Sequence, residues 1–211
     1  MNDLQPHDPP QQAPDTATPH AIILAAGAAS RFGSPKQAAK LRDQPLLSLA
    51  VTRAGAVSGP HCVSVVLGAH AAELTPLLCR TPATVVINRD WSEGIASSIR
   101  AGVAQLPGSC EAVLLMLADQ AAVTEADLLR LVAAWRRQPQ GIAAAFYGGL
   151  AGVPAVFPRA DFGALRSLKG DQGARALLRS QAERVTRVPM ASAAIDVDTP
   201  EDLAVLNSPA T

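Results

Sequence analysis

The chain has 211 residues, enough for one α/β domain with its own core and a squeeze for two. Apolar residues make up 48% but aromatic ones only 3%, so the core has to be built from Ala, Val, Leu and Ile. Eighteen basic residues balance eighteen acidic ones, and a net charge of zero leaves no global field to draw in a nucleic-acid backbone or an anionic membrane.

Residues 1–19 hold five of the seventeen prolines among Gln, Asp and Thr, with almost no large apolar side chain, and are expected to form a disordered tail. The tail has Asp3 and Asp8 but neither a basic start nor an apolar stretch, and no run approaches the ~20 apolar residues that a bilayer requires. A cytoplasmic protein with no membrane partner is therefore expected, with a single domain over residues 20–207.

Short apolar runs predict strands over 21–25, 62–67, 84–87, 112–118, 142–146, 153–157 and 184–188. Helical spacing of apolar residues predicts helices over 45–57, 71–78, 95–106, 125–137, 160–168 and 174–181. Strands that are apolar on both faces and alternate with helices predict a mostly parallel, doubly wound sheet, in which ligands gather where strands end.

The first strand runs into a loop of small residues, Ala25, Ala26, Gly27, Ala28, Ala29 and Ser30, followed by Arg31, Gly33 and Lys36. Small side chains allow close backbone approach, Gly27 and Gly33 permit unusual dihedrals, and loop amides can cradle phosphate oxygens beside two fixed cations. The spacing is neither that of a Walker loop nor that of a dinucleotide fingerprint. After the third strand, Asn88, Trp91, Gly94, Ser97 and Ser98 fall at the start of a helix, where an anion site is natural. Asp119 directly follows the 112–118 strand, and a carboxylate there suits Mg²⁺, which is commonly held by one or two such groups plus substrate phosphates. Helix capping does not account for it, because Thr124 and Asp127 already start the next helix.

Gly170, Asp171, Gly173 and Arg175 precede a further helix in the same way. In the segment 196–202, Thr199, Pro200 and Asp202 make a helix start, while Asp196 and Asp198 project to one face and need a cation or donors between them. Cys62, Cys79 and Cys110 match no metal spacing and are expected to be small buried hydrophobes; the four histidines form no metal motif.

Residues 24–36, the stretch Leu117-Ala118-Asp119-Gln120, residues 170–175 and residues 196–203, in this order, resemble the molybdenum cofactor nucleotidyltransferase family, most closely its cytidylyltransferases. The resemblance spans residues 21–206. It implies a Rossmann-like three-layer α/β/α nucleotidyltransferase fold and transfer of CMP from CTP to the terminal phosphate of molybdopterin, or of the molybdenum cofactor, with release of pyrophosphate. Ala26-Gly27, where guanylyl-transferring relatives carry two glycines, favours cytidine. Ala121 departs from the proline usual after Asp-Gln, which puts the rigidity of that loop in doubt.

On this basis Arg31, Lys36 and Asp119 are the expected catalytic residues. Leu24, Ala25, Ala26, Gly27, Ser30, Arg31 and Lys36 are expected to hold the nucleotide, and Asp119 and Asp198 to hold Mg²⁺, with Mn²⁺ as an alternative. The acceptor side is assigned to Asn88, Trp91, Gly94, Ser97, Ser98, Asp171, Gly173, Arg175 and Asp196. A recipient molybdoenzyme is a further expected partner, and no nucleic acid is. Three alternatives stay open: guanylyl transfer, another phosphorylated acceptor, and a cofactor-binding chaperone without catalysis. Deleting residues 2–18 is expected to leave nucleotide binding unchanged.

Overall fold

The computed structural model describes residues 17–29 and 32–208. Its centre is β1 (His20–Ala25), in which Ala21 to Ala25 are buried and His20 half-buried. A separate short hairpin follows, β2 (Lys40–Leu41) with β3 (Gln44–Pro45). The remaining strands are β4 (Val63–Leu67), β5 (Thr84–Ile87), β6 (Ala112–Leu117), β7 (Ile142–Tyr147), β8 (Leu150–Pro158) and β9 (Val185–Pro189). Together with β1 they make a seven-stranded sheet in the order β5-β4-β1-β6-β8-β7-β9.

The helices are α1 (Leu46–Ser58), α2 (Ala71–Leu74), α3 (Ile95–Ala104), α4 (Glu125–Arg137), α5 (Phe162–Arg166), α6 (Ala174–Ser180) and α7 (Pro200–Asn207). Side chains alternate along a strand, and β1 shows the result. Ala21, Ile23 and Ala25 pack with Leu47, Val51 and Ala54 of α1 and Leu128, Leu131 and Trp135 of α4. Ile22 and Leu24 pack on the other face with Ile99 and Val103 of α3, Leu165 of α5 and Leu177 of α6. The architecture is thus the expected mostly parallel three-layer α/β/α fold.

Three local expectations change. β8 runs antiparallel to both β6 and β7, because Gly148 and Gly149, with φ of 56° and 76°, close a hairpin where no helix intervenes. Cys62 and Cys79 are exposed and Cys110 is half-buried, since all three fall at or beyond element ends and not inside them. Most of the expected tail lies outside the described residues, but residues 17–19 belong to the folded domain: the Ala17 carbonyl accepts a 2.7 Å hydrogen bond from Arg136 Nε, and Pro19 is buried. No helix among the described residues is long and apolar enough to cross a membrane.

This topology brings three loops together. β1 and β6 are parallel neighbours, so the segments that leave their carboxyl ends start side by side, and the Ala118 N–H donates to the Leu24 carbonyl at 3.2 Å. A bond from the Val197 N–H to the Asp119 carbonyl, 3.0 Å, ties the segment before α7 to the same place.

Candidate active site

At the carboxyl ends of β1 and β6 lies a cleft of about 480 Å³. Its floor and one wall are residues 24–29, with Lys36 and Gln37; Leu117, Ala118 and Asp119 form another side, and Asp198 closes it. Trp91, Ser92, Gly94, Ile95, Ser98 and Asp171 make the opposite wall.

Lys36 occupies the centre of the charge distribution. Its Nζ lies 2.6 Å from Asp119 Oδ2 and 2.9 Å from Asp198 Oδ1. Burial alone would push the ammonium down, but the carboxylates of Asp119 and Asp198 outweigh this and hold it above the ordinary lysine value. Asp119 Oδ1 is buried and accepts no hydrogen bond. Among the described residues, the charged side chains lining the cleft are Lys36 against Asp119, Asp171 and Asp198. Just beyond them, partial burial and then repulsion from Asp119 and Asp198 push the Asp196 carboxyl up, although water still reaches its side chain.

Local sequence explains why these groups are held. Asp119 sits in a tight turn in which the Ala121 N–H donates to the Asp119 carbonyl at 2.8 Å, and Arg53 donates to the Ala121 carbonyl at 2.8 Å. A proline at 121 could not make the first of these bonds, so here the loop is fixed by hydrogen bonds instead of by a ring. Next to it, Gln120 Nε2 donates to the carbonyls of Val153 and Ala193 at 2.9 and 3.0 Å. Asp198 precedes a capping box in which Thr199 Oγ1 accepts from the Asp202 N–H and the Asp202 carboxylate accepts from the N–H groups of both Asp198 and Thr199.

Of the expected nucleotide loop, Leu24, Ala25, Ala26, Gly27 and Lys36 do line the cleft, while Ser30 and Arg31 lie outside the described residues. Gly27 has open space where a side chain would stand. The left-handed backbone falls at Ala29, with φ of 50°, and at Gly33, with φ of 76°, and Gly27 does not share it.

Of the residues assigned to the acceptor side, Trp91, Gly94, Ser98 and Asp171 line the cleft. Asn88 and Ser97 do not face it: Asn88 Nδ2 donates to Ser97 Oγ at 2.8 Å and to Ser98 Oγ at 3.0 Å beneath the surface. These residues hold the start of α3. That start does not offer a free set of amides, because the Ala96 N–H already donates to the Gly170 carbonyl and the Ser97 N–H to the Gly94 carbonyl.

Gly173 packs toward Ile95, and Arg175 turns aside to the Tyr147 hydroxyl at 3.3 Å with its guanidinium 5.9 Å from that ring's centroid. Gln37 is a cleft residue that sequence reasoning missed. Its Nε2 donates to the Ala25 carbonyl at 3.3 Å and weakly to that of Gly27, while its Oε1 is buried and unpartnered. Its only signal in the sequence was its place beside Lys36.

Among the described residues no group of three or more His, Cys, Asp or Glu side chains is arranged to enclose a metal ion by itself. Asp119 and Asp198 supply two carboxylates to the cleft, and a divalent ion held by two such groups would complete its coordination with ligand oxygens. The orphaned Asp119 Oδ1 fits that donor set.

Residues 21–185 match the sequence model of the MobA-like NTP transferase domain. The protein named nicotine blue oxidoreductase from Paenarthrobacter nicotinovorans is 33% identical over 86% of this chain and 93% of its own length. Purine catabolism protein PucB from Bacillus subtilis is 28% identical over 86% of this chain and 92% of its own. Among solved structures, Rv0371c from Mycobacterium tuberculosis superposes with a TM-score of 0.76 at 28% identity, covering 90% of this chain and 98% of that one. The same protein has also been solved in complex with manganese.

Proposed function

The chain belongs to the MobA-like NTP transferase family, and on that footing we propose that it transfers CMP from CTP to the terminal phosphate of molybdopterin or the molybdenum cofactor, releasing pyrophosphate. The observation that carries this reading is the convergence of the open Gly27 loop, Lys36, Asp119 and Asp198 on one cleft.

A phosphate monoester has a second pKa of ~6 and is already largely ionised near neutral pH, so the acceptor oxygen needs no general base to attack the α-phosphorus. The new P–O bond forms as the bond to the β-phosphate oxygen breaks, and the electron pair leaves with pyrophosphate. The obstacle is bringing together two polyanions in a cleft whose described lining is acidic. Lys36, swung from its carboxylates onto the phosphates, lowers the charge on the departing pyrophosphate. Asp119 and Asp198 would hold Mg²⁺ or Mn²⁺, which supplies Lewis-acid neutralisation of the phosphate oxygens when bound. The manganese complex of Rv0371c supports a divalent ion in this role.

On the nucleotide side, Leu24, Ala25, Ala26 and Gly27 let the triphosphate approach the backbone, with Ser30 and Arg31 following in the loop. Trp91, Gly94, Ser98 and Asp171 face the acceptor. Asn88, Ser97 and Gly173 support that wall from behind, and Asp196 and Arg175 flank it.

The test is thermal stabilisation by CTP, GTP, ATP and UTP with Mg²⁺, followed by pyrophosphate release with molybdopterin present. Selective stabilisation by CTP is expected, and Asp119→Asn should lower turnover by about 100-fold with little change in melting temperature. Selectivity for GTP would move the chain to guanylyl transfer, and near-normal turnover by folded Asp119→Asn would overturn the role of that carboxylate. The 33% identical oxidoreductase favours a second reading, a redox reaction on a small organic molecule. Oxidation of a reduced nicotinamide without any nucleoside triphosphate would carry it.

A further inference from the structure

We propose that the place between Asp119 and Asp198 is a shared cation seat, filled by the Lys36 ammonium in the ligand-free protein and yielded to a divalent ion when a triphosphate draws Lys36 away. This rests on the reading of the two carboxylates as cation ligands and adds to it a competitor from the chain itself.

The geometry points this way on three counts. Lys36 bridges the two carboxylates, at 2.6 and 2.9 Å, so it occupies the same two groups that would hold a metal ion. The lysine and Asp119 side chains are only 14% and 18% exposed, so water screens their attraction poorly and would screen the repulsion between the ammonium and an incoming dication just as poorly. One ammonium does not saturate the site either, since Asp119 Oδ1 stays buried without a partner.

Lysine is suited to such an exchange. Its charge sits at the end of a flexible four-carbon stem, and phosphate oxygens on the open Gly27 side offer it a second set of anions. Triphosphate and divalent ion therefore bind with positive coupling beyond their direct contact: each removes what blocks the other. A free dication meets a seat that is already neutralised, so the ligand-free protein binds it weakly.

Mn²⁺ binding to the full chain, measured by loss of the free-ion paramagnetic resonance signal without nucleotide, tests this. Lys36→Met should bind Mn²⁺ roughly tenfold more tightly than the unmodified protein, because the ammonium that competes with the ion for Asp119 and Asp198 is gone. Adding Asp119→Asn to Lys36→Met should abolish that gain. Lys36→Gln serves the same purpose if the methionine variant does not fold. Unchanged or weaker Mn²⁺ binding by folded Lys36 variants would overturn the inference, as would a gain that survives Asp119→Asn. If the unmodified protein binds no Mn²⁺ even with CTP, the reading of the carboxylates as cation ligands fails. If it binds Mn²⁺ with CTP while the Lys36 variants gain nothing, only the shared seat fails.

Discussion

Gly94 shows how one missing side chain can shape a wall of the cleft. Its φ of 113° lies where L side chains are strained, and a Cβ there would stand 2.5 Å from Asp171 Oδ1 and from the Gly170 carbonyl. The residue therefore both turns the chain into α3 and lets the 170–171 loop close against it. Gly94→Ala should cost about 1–3 kcal/mol of stability and displace Asp171. Thermal melting with steady-state kinetics checks this, and the expected pattern is a rise in acceptor KM larger than any fall in kcat. Single residues also mark where sequence reasoning ran short. Asn88 and Ser97 have the polar groups of a binding site, but a one-dimensional pattern cannot show that those groups satisfy each other under the surface. Lys36 and Asp119 were legible because strand ends in a parallel sheet are where ligands gather, whatever the details of packing.

Among the elements, α7 illustrates a helix whose cap serves the site. Thr199 and Asp202 close the capping box, and the same Asp202 carboxylate accepts from the Asp198 N–H at 3.0 Å. Thr199→Ala should cost about 1 kcal/mol and loosen Asp198, so that α7 amides exchange faster with deuterium and turnover falls severalfold. Unaltered exchange in α7 would show that the cap does not govern this segment. The starts of α4 and α7 were legible from such side-chain signals, the other helices from the spacing of their apolar residues, and the strands from apolar runs. The hairpin of β7 and β8 was only half legible: Gly148 and Gly149 marked a turn, but Leu150, Ala151 and Gly152 lack the apolar run that betrayed the rest of β8. The tiny pair β2 and β3 carries no periodicity at all, and of its positive-φ turn residues Arg42 and Asp43 only the aspartate is of a type that favours this region.

At the scale of the whole molecule, His20 links fold stability to pH. It starts the central strand with its Nε2 2.8 Å from Ser64 Oγ, and burial lowers its pKa below the usual 6.5. Above 6.5 both folded and unfolded chains hold the imidazole neutral and the full stability is present. As pH falls below 6.5 and through the lowered folded value, the unfolded chain takes up the proton first and stability is lost. Urea unfolding between pH 7.5 and 5 should show this loss, and His20→Asn should flatten it. The depressed carboxyl of Asp127, where hydrogen bonds from Thr124 and Ser192 and the charge of Arg130 outweigh burial, acts in a separate and more acidic window.

The contact between Lys36 and Asp198 also bears on the biosynthesis of the chain, since the two residues are 162 positions apart. Synthesis runs from the amino terminus, so β1 can pair with β4 while most of the polypeptide is still unmade. A nascent chain that has emerged only through α4 holds Lys36 and Asp119 but lacks Asp198. The carboxylate pair forms only once the segment before α7 has left the ribosome and returned to the first loop. The pairing of the two carboxylates is thereby deferred until the sheet is complete, and proteolytic trimming just ahead of Asp198 would remove one of them while leaving all seven strands intact.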